Sequence, residues 1–253
     1  MPGRTRRSLP QDVKAEFRPS TSLAVLALTF TSIATPAYAN DGLEIALLAT
    51  SDWRYHGISE TRRKPAIGIA FDWQVSETFF AGLEAHHAQV EGALQRQRSL
   101  MAYVGAGTRL GNDWYLSGSV SHREFPGSRK EWDFTEFEAQ ATRSLSSRSQ
   151  VRFSVDYSPD YYEHNIQAWG IEGQYTMSLN DRWYVTLEAG RLAFSKQTAG
   201  PEYGYGRLGA GWRADNLLLE VSVNANTEGS DAAFGAEAYN DLVIVGQLTW
   251  RLR

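Results

Sequence analysis

From about residue 43 onward the chain repeats with a period of two, in segments much longer than ordinary strands. In "LLLEVSVNA", Leu217, Leu219, Val221 and Val223 share one face, and Leu218, Glu220, Ser222 and Asn224 share the other. Successive side chains of a strand point to opposite faces, so this is the pattern of a strand with one apolar and one polar surface. The same split recurs. "WYLSGSVS" separates Trp114, Leu116 and Val120 from Tyr115, Ser117, Ser119 and Ser121; "VRFSVDY" separates Val151, Phe153, Val155 and Tyr157 from Arg152, Ser154 and Asp156. "AIGIAFDWQV" sets Ile67, Ile69, Phe71, Trp73 and Val75 against Gly68, Ala70, Asp72 and Gln74.

The alternation predicts twelve strands, near residues 43–51, 65–75, 79–90, 98–110, 114–125, 133–145, 149–157, 165–179, 182–195, 203–213, 216–226 and 239–252. Globular strands average about 5 or 6 residues, whereas a tilted membrane strand takes roughly 9 to 11. The connections alternate in length. Those at 52–64, 91–97, 126–132, 158–164, 196–202 and 227–238 are long; those at 76–78, 111–113, 146–148, 180–181 and 214–215 are short. An even number of antiparallel strands with tight turns at one end and long loops at the other describes an outer-membrane barrel. The expected fold class is therefore all-β, a transmembrane antiparallel up-and-down barrel of about twelve strands.

Aromatic residues lead to a further expectation. Trp73, Phe79, Trp114, Trp183, Trp212 and Trp250 fall at the short-turn ends. Trp53, Tyr55, Phe125, Trp132, Tyr157, Tyr161, Phe194, Tyr203 and Tyr239 fall at the long-loop ends. Two outward belts at the two membrane interfaces would follow.

The first 39 residues read differently. Arg4, Arg6, Arg7, Lys14 and Arg18 precede the apolar run "SLAVLALTFTSIA" and the A-x-A pattern of Ala37 and Ala39, the features of a signal peptide cleaved after Ala39. Residues 40–253 would then be the barrel, exported to the bacterial outer membrane, with 20 Lys and Arg against 27 Asp and Glu, a net charge of −7. Such an acidic chain is a poor partner for nucleic acid. It has no cysteine, which excludes disulfides and thiolate metal sites. With a mean hydropathy of −0.40 it has no stretch of the length that a spanning helix needs.

The stretch Ser51-Asp52-Trp53-Arg54-Tyr55-His56-Gly57-Ile58-Ser59, followed by Pro65 at the start of a strand, resembles the N-terminal signature of the TorF-like putative porins. Tyr157-Ser158-Pro159-Asp160-Tyr161 resembles a second element of that family. The resemblance implies an outer-membrane channel and singles out Ser51, Asp52, Arg54, Gly57 and Ser59 as motif residues of the first loop.

By alternation the lumen of such a barrel collects Glu44, Asp72, Glu84, Glu136, Glu138, Asp156, Glu172, Glu188 and Glu220, with Arg109, Arg123, Arg152, Arg207, Arg213 and Arg251. Charge on a pore wall tunes ion selectivity, and this balance favours cations. The candidate pore-lining set is Asp72, Glu84, Glu136, Glu138, Arg152, Asp156, Glu172, Arg207 and Glu220. Twelve strands lie between the eight whose interior side chains fill and the sixteen or more of wide porins, so the lumen should be narrow. Asp52, Arg54 and Gly57 suggest that the first loop folds back on itself toward the pore mouth, with Gly57 in an unusual backbone conformation. Arg62, Arg63 and Lys64 would stand near the rim, within reach of lipopolysaccharide phosphates.

The five histidines show no metal-ligand spacing, and His86 and His87, being adjacent, should point to opposite faces. No cofactor is indicated. The expected partners are outer-membrane lipids and lipopolysaccharide, the barrel assembly machinery, and small solutes or ions. The leading function is a passive channel. A barrel enzyme acting on lipids through a rim serine and histidine, or a closed structural or adhesive barrel, are the alternatives.

Overall fold

A computed structural model of the chain describes residues 42–88, 97–126, 133–161, 166–195, 202–227 and 242–252. The signal-peptide expectation for 1–39 lies outside the described residues, as do Trp132, His164, Tyr239 and Arg253. The strands in chain order are β1 Gly42–Thr50, β2 Arg54–Tyr55, β3 Ile58–Ser59, β4 Ala66–Gln74, β5 Phe79–Ala88, β6 Gln97–Leu110 and β7 Trp114–Glu124. They continue with β8 Phe134–Ser146, β9 Ser149–Ser158, β10 Ala168–Ser178, β11 Trp183–Phe194, β12 Tyr203–Ala214, β13 Leu217–Asn226 and β14 Val243–Leu252.

Twelve of these strands form one closed antiparallel barrel, and β2 and β3 form a separate two-stranded hairpin. Each barrel strand pairs with its sequence neighbour, and β1 closes the ring on β14 in the register Ile45↔Leu252 to Thr50↔Gln247. On its other edge β1 pairs with β4 from Gly42↔Gln74 to Thr50↔Ala66, so the hairpin is an insertion that leaves this ladder unbroken. Closure satisfies every strand edge, which is what hydrocarbon demands of a spanning sheet. No helix of the described residues is long and apolar enough to cross a membrane.

The period of two sets what faces where. Ile67, Leu83, Val104, Phe153, Ile171, Leu187, Leu208 and Val221 are all exposed on the outside of the barrel. An apolar surface this continuous is not stable against water; a bilayer core is its natural counterpart. Glu84, Glu136, Glu138, Arg152, Asp156, Glu172 and Glu220 are buried inside. On the inner wall several rings lie flat over glycines of the neighbouring strand. A Cβ on Gly82 would sit 2.3 Å from the Tyr103 ring, and one on Gly211 would sit 2.1 Å from that of Tyr184. These rings therefore lie along the wall.

One expectation needs correction. At the short-turn end Trp73, Phe79, Trp114, Trp183 and Trp250 do face outward. At the long-loop end Trp53, Tyr55, Phe125, Tyr161 and Tyr203 are instead buried inside, in one cluster with Phe134, Leu192 and Tyr205. Among the described residues Phe137, Tyr157 and Trp169 remain on the outside there, the last two with ring centroids 4.3 Å apart. The reason is the hairpin, which offers these rings a partner inside the barrel.

The outward face makes a quantitative demand. Leu208, 60% exposed near the middle of β12, is expected to cost about 2–4 kcal/mol of folding free energy in a bilayer when changed to Arg. Urea titration of folding into lipid vesicles would measure it, and an unchanged midpoint would contradict the membrane orientation.

Candidate functional site

The loop after β1 is first pinned to the last strand. The Ser51 N–H donates to the Gly246 carbonyl (2.9 Å), and Ser51 Oγ accepts the Gly246 N–H (3.0 Å). From there the chain enters the lumen. The Asp52 carboxylate organises the hairpin by accepting from Arg54 Nη1 (2.8 Å), from Thr61 Oγ1 (3.0 Å) and from Ser59 Oγ. Arg54 in turn donates to the Gly57 carbonyl (2.5 Å) and so closes the tip. Gly57 is required there twice over. Its φ is +78°, and a Cβ would lie 2.5 Å from Tyr205 Cβ on the barrel wall. His56, Arg62 and Arg63 also have positive φ, at 45°, 54° and 57°, a conformation that costs a residue with a side chain about 1–2 kcal/mol. The surrounding contacts must supply that energy.

Those contacts reach around the ring. The Glu60 carboxylate accepts two hydrogen bonds from Arg123 Nη1 of β7 (2.8 and 2.9 Å), and its Oε2 lies 2.7 Å from His86 Nε2 of β5. His86 Nδ1 is 3.2 Å from Glu84, and the Trp53 ring stacks on the His86 ring with centroids 3.8 Å apart. Trp53 is completely buried and lies over Gly68 of β4, where a Cβ would be 2.6 Å from the indole. Tyr55 Oη donates to Glu136 of β8 (2.5 Å), with the Arg123 guanidinium 4.3 Å above its ring. Tyr203 Oη donates to the His56 carbonyl (3.0 Å), and Asn226 donates to that of Gly57 (2.7 Å). The hairpin therefore reaches across the lumen at the long-loop end. Beneath it remains a cavity of about 50 Å³, lined by Glu172, Glu188, Tyr205, Arg207, Asn224 and Gln247 among others.

Below and beside the hairpin, arginines are matched to carboxylates. Arg152 bonds Glu172 (2.8 Å), Arg207 bonds Glu220 and lies 3.8 Å from Glu188, and Arg251 lies 3.1 Å from Glu44. Tyr103 donates to Asp72. Acids predominate on β8 to β11. Glu138 and Asp156 stand directly opposite each other in the β8–β9 register, and both are buried.

Two hairpin groups are shifted in their ionisation. Burial, and then the Arg123 guanidinium, lowers the His56 pKa to about 3, with Glu60 opposing. Burial and then Glu136 push Tyr55 well above its usual value. His56 is thus a neutral ring and Tyr55 a neutral phenol.

His86 faces inward and His87 outward. Among the described residues no group of three His, Cys, Asp or Glu side chains is placed to hold a metal ion. At the outer rim His122 Nδ1 lies 2.9 Å from Thr135 Oγ1, while Glu124 is 3.7 Å from His122 Nε2. This histidine thus has a threonine beside it. Arg62 and Arg63 are partly buried and Lys64 is exposed.

No family model matches the chain, and no curated protein matches its sequence. Solved barrels do match its fold. A KdgM porin superposes with a TM-score of 0.59 at 8% identity, over 83% of this chain and 99% of that one. A NanC porin superposes with a TM-score of 0.56 at 6% identity, over 84% of this chain and all of that one. A KdgM porin in complex with disordered oligogalacturonate gives a TM-score of 0.56 at 6% identity, over 83% and 99% of the two chains. At such identities the likeness is one of fold.

Two outcomes follow for the hairpin. Because the chain has no cysteine, a single Ile58→Cys substitution makes the hairpin tip a clean probe for maleimide labelling from the loop side. Arg123→Met strips a buried carboxylate of its guanidinium, a loss of about 3–5 kcal/mol, and should raise the labelling rate by about a hundredfold to a few thousandfold. The pH dependence has a definite sign. A released His56 takes up a proton near its ordinary pKa of about 6.5, whereas the seated ring, faced by Tyr55, Tyr161, Tyr205, Asp156 and Arg123, takes it up only near 3. Seating therefore weakens as pH falls from 6.5 toward 3 and is insensitive to His56 above 6.5. Labelling should accelerate over that window, and His56→Gln should flatten the profile.

Proposed function

We propose that the chain is an outer-membrane porin-like channel for small solutes or ions, narrowed at its outer mouth by the β2–β3 hairpin. The observation that carries this reading is the inner wall. A barrel kept only as a membrane anchor gains nothing from a lumen of carboxylates and guanidiniums, because each must be desolvated or paired. A wall that meets water and solute gives those groups a role. The resemblance of residues 51–59 to the TorF-like putative porins supports the same conclusion, and so does the fold shared with KdgM and NanC porins. One of those barrels was solved in complex with oligogalacturonate, and for this chain we infer a lumen that admits a small solute. Short turns would then face the periplasm, and the long loops and the hairpin the exterior.

On this reading the hairpin sets the conductance. It is inserted between β1 and β4 without contributing to the barrel ladder. Replacing residues 53–63 with a short glycine-serine linker should leave a heat-modifiable, folded barrel. In planar bilayers the intact chain is expected to give small or infrequent current steps, and the linker variant steps several times larger. A folded linker variant that carries no current would overturn the channel reading and leave a closed structural barrel.

A further inference from the structure

The acid-rich side of the lumen brings several buried carboxylates close together. Glu138 and Asp156 face each other across the β8–β9 ladder, and like charges directly opposite are destabilising. Glu172, diagonal to Asp156 through the Asp156↔Gly170 pair, is already engaged by Arg152 and by Tyr205 Oη (3.0 Å). Asp156 itself is 2% exposed, and neither of its carboxylate oxygens has a hydrogen-bond partner among the described residues. A buried carboxylate without a partner marks the place of a missing counter-charge.

What faces it is His56. The imidazole is 4% exposed, and its Nε2, also without a hydrogen-bond partner among the described residues, points at Asp156 Oδ2 from 3.9 Å. That distance is too long for a hydrogen bond. The ring is held between aromatic faces of the barrel. Tyr161 stacks at 6.3 Å and Tyr205 at 6.0 Å between centroids, with Tyr161 Oη 3.3 Å from His56 Nδ1. Aromatic faces backed by a carboxylate are the surroundings that bind an organic cation, through the ring quadrupole and the opposite charge together. The hairpin fills these surroundings with a neutral ring of the right shape.

We propose that Asp156, with the rings of Tyr161 and Tyr205, forms a luminal site for a small organic cation of the imidazolium or alkylammonium class, and that His56 occupies this site when the hairpin is seated. The inference deepens the channel reading, on which it rests, by naming the class of solute. An entering cation meets a carboxylate that the hairpin leaves unsatisfied and so competes directly with His56. A sugar acid or other anion meets the wrong sign.

The test uses the full chain carrying His56→Ala, refolded in detergent and shown to be folded by heat-shifted mobility. Calorimetric titration compares 1,3-dimethylimidazolium, a ring with a fixed charge, with neutral 1-methylpyrrole of similar shape. The cation should bind at least about tenfold more tightly, and adding Asp156→Asn should erase that preference. Equal binding of the two rings, or a preference that survives Asp156→Asn, overturns the proposal. If His56→Ala prevents folding, the wild-type chain decides through its reversal potential in a potassium chloride gradient. Cation preference reduced by Asp156→Asn supports the site, and anion preference overturns it. Cation binding in a barrel that conducts nothing would retain the site and discard the channel, so the two readings can fail separately.

Discussion

Closure of β1 on β14 is the constraint from which the rest follows. A sheet in hydrocarbon cannot leave a row of N–H and C=O groups open, so the strands must form a ring, and their number then sets its circumference. Twelve strands enclose more space than side chains on the wall can fill. Here the inner rings do not attempt it: Tyr103 and Tyr184 lie flat over Gly82 and Gly211 instead of projecting to the axis. The volume left over at the long-loop end is taken by a segment of backbone, the β2–β3 hairpin. Its placement is possible because Thr50↔Ala66 completes the β1–β4 ladder without it.

The hairpin is held in a way that differs from a hydrophobic core. Its deepest contacts are the Glu60 carboxylate on Arg123 and His86, Tyr55 on Glu136, and carbonyls of His56 and Gly57 on Tyr203 and Asn226. Buried charge pairs of this kind roughly repay their desolvation, so they fix geometry more than they add net stability. Against them stand three side-chain-bearing residues in the left-handed region. Stacking of Trp53 on His86 and packing of the aromatic cluster supply the apolar part. The balance gives a hairpin with one defined seat, fixed by polar anchors and packed through its rings.

The barrel was legible in the sequence because its physics is local. A period of two over about ten residues specifies a strand and its two faces, and the alternation of short and long connections specifies up-and-down order. The inward parity of Glu136, Asp156 and Glu172 follows from the same period. The hairpin anchors were not legible. Glu60, Arg123 and His86 come from three elements, separated by 63 residues between Glu60 and Arg123 and 26 between Glu60 and His86, and nothing in their neighbours announces the contact. The misplaced loop-end aromatics have the same origin. Tyr55, Phe125 and Tyr203 carry the composition of an interface belt, and composition does not distinguish a membrane surface outside from a hairpin surface inside. The one available signal was Gly57 beside Asp52 and Arg54, which marks a tight, polar-bound turn but not its destination.

The charge of the lumen bears on what seating the hairpin changes. Among the described residues the inward side chains include nine acids and six arginines, and most of those arginines are committed to neighbouring acids or turn carbonyls. The inserted segment, residues 52–63, adds Asp52 and Glu60 against Arg54, Arg62 and Arg63, one positive charge, less than the excess of three acids on the wall. Seating it covers Arg123 with Glu60, and releasing it uncovers Arg123; neither step reverses the excess of acid. Acidic side chains therefore outnumber arginines on the wall whether the hairpin is in or out. On the channel reading proposed above, the hairpin would govern how much can pass and the wall of β8 to β11 what kind, which places passage and selectivity on separate parts of the same barrel.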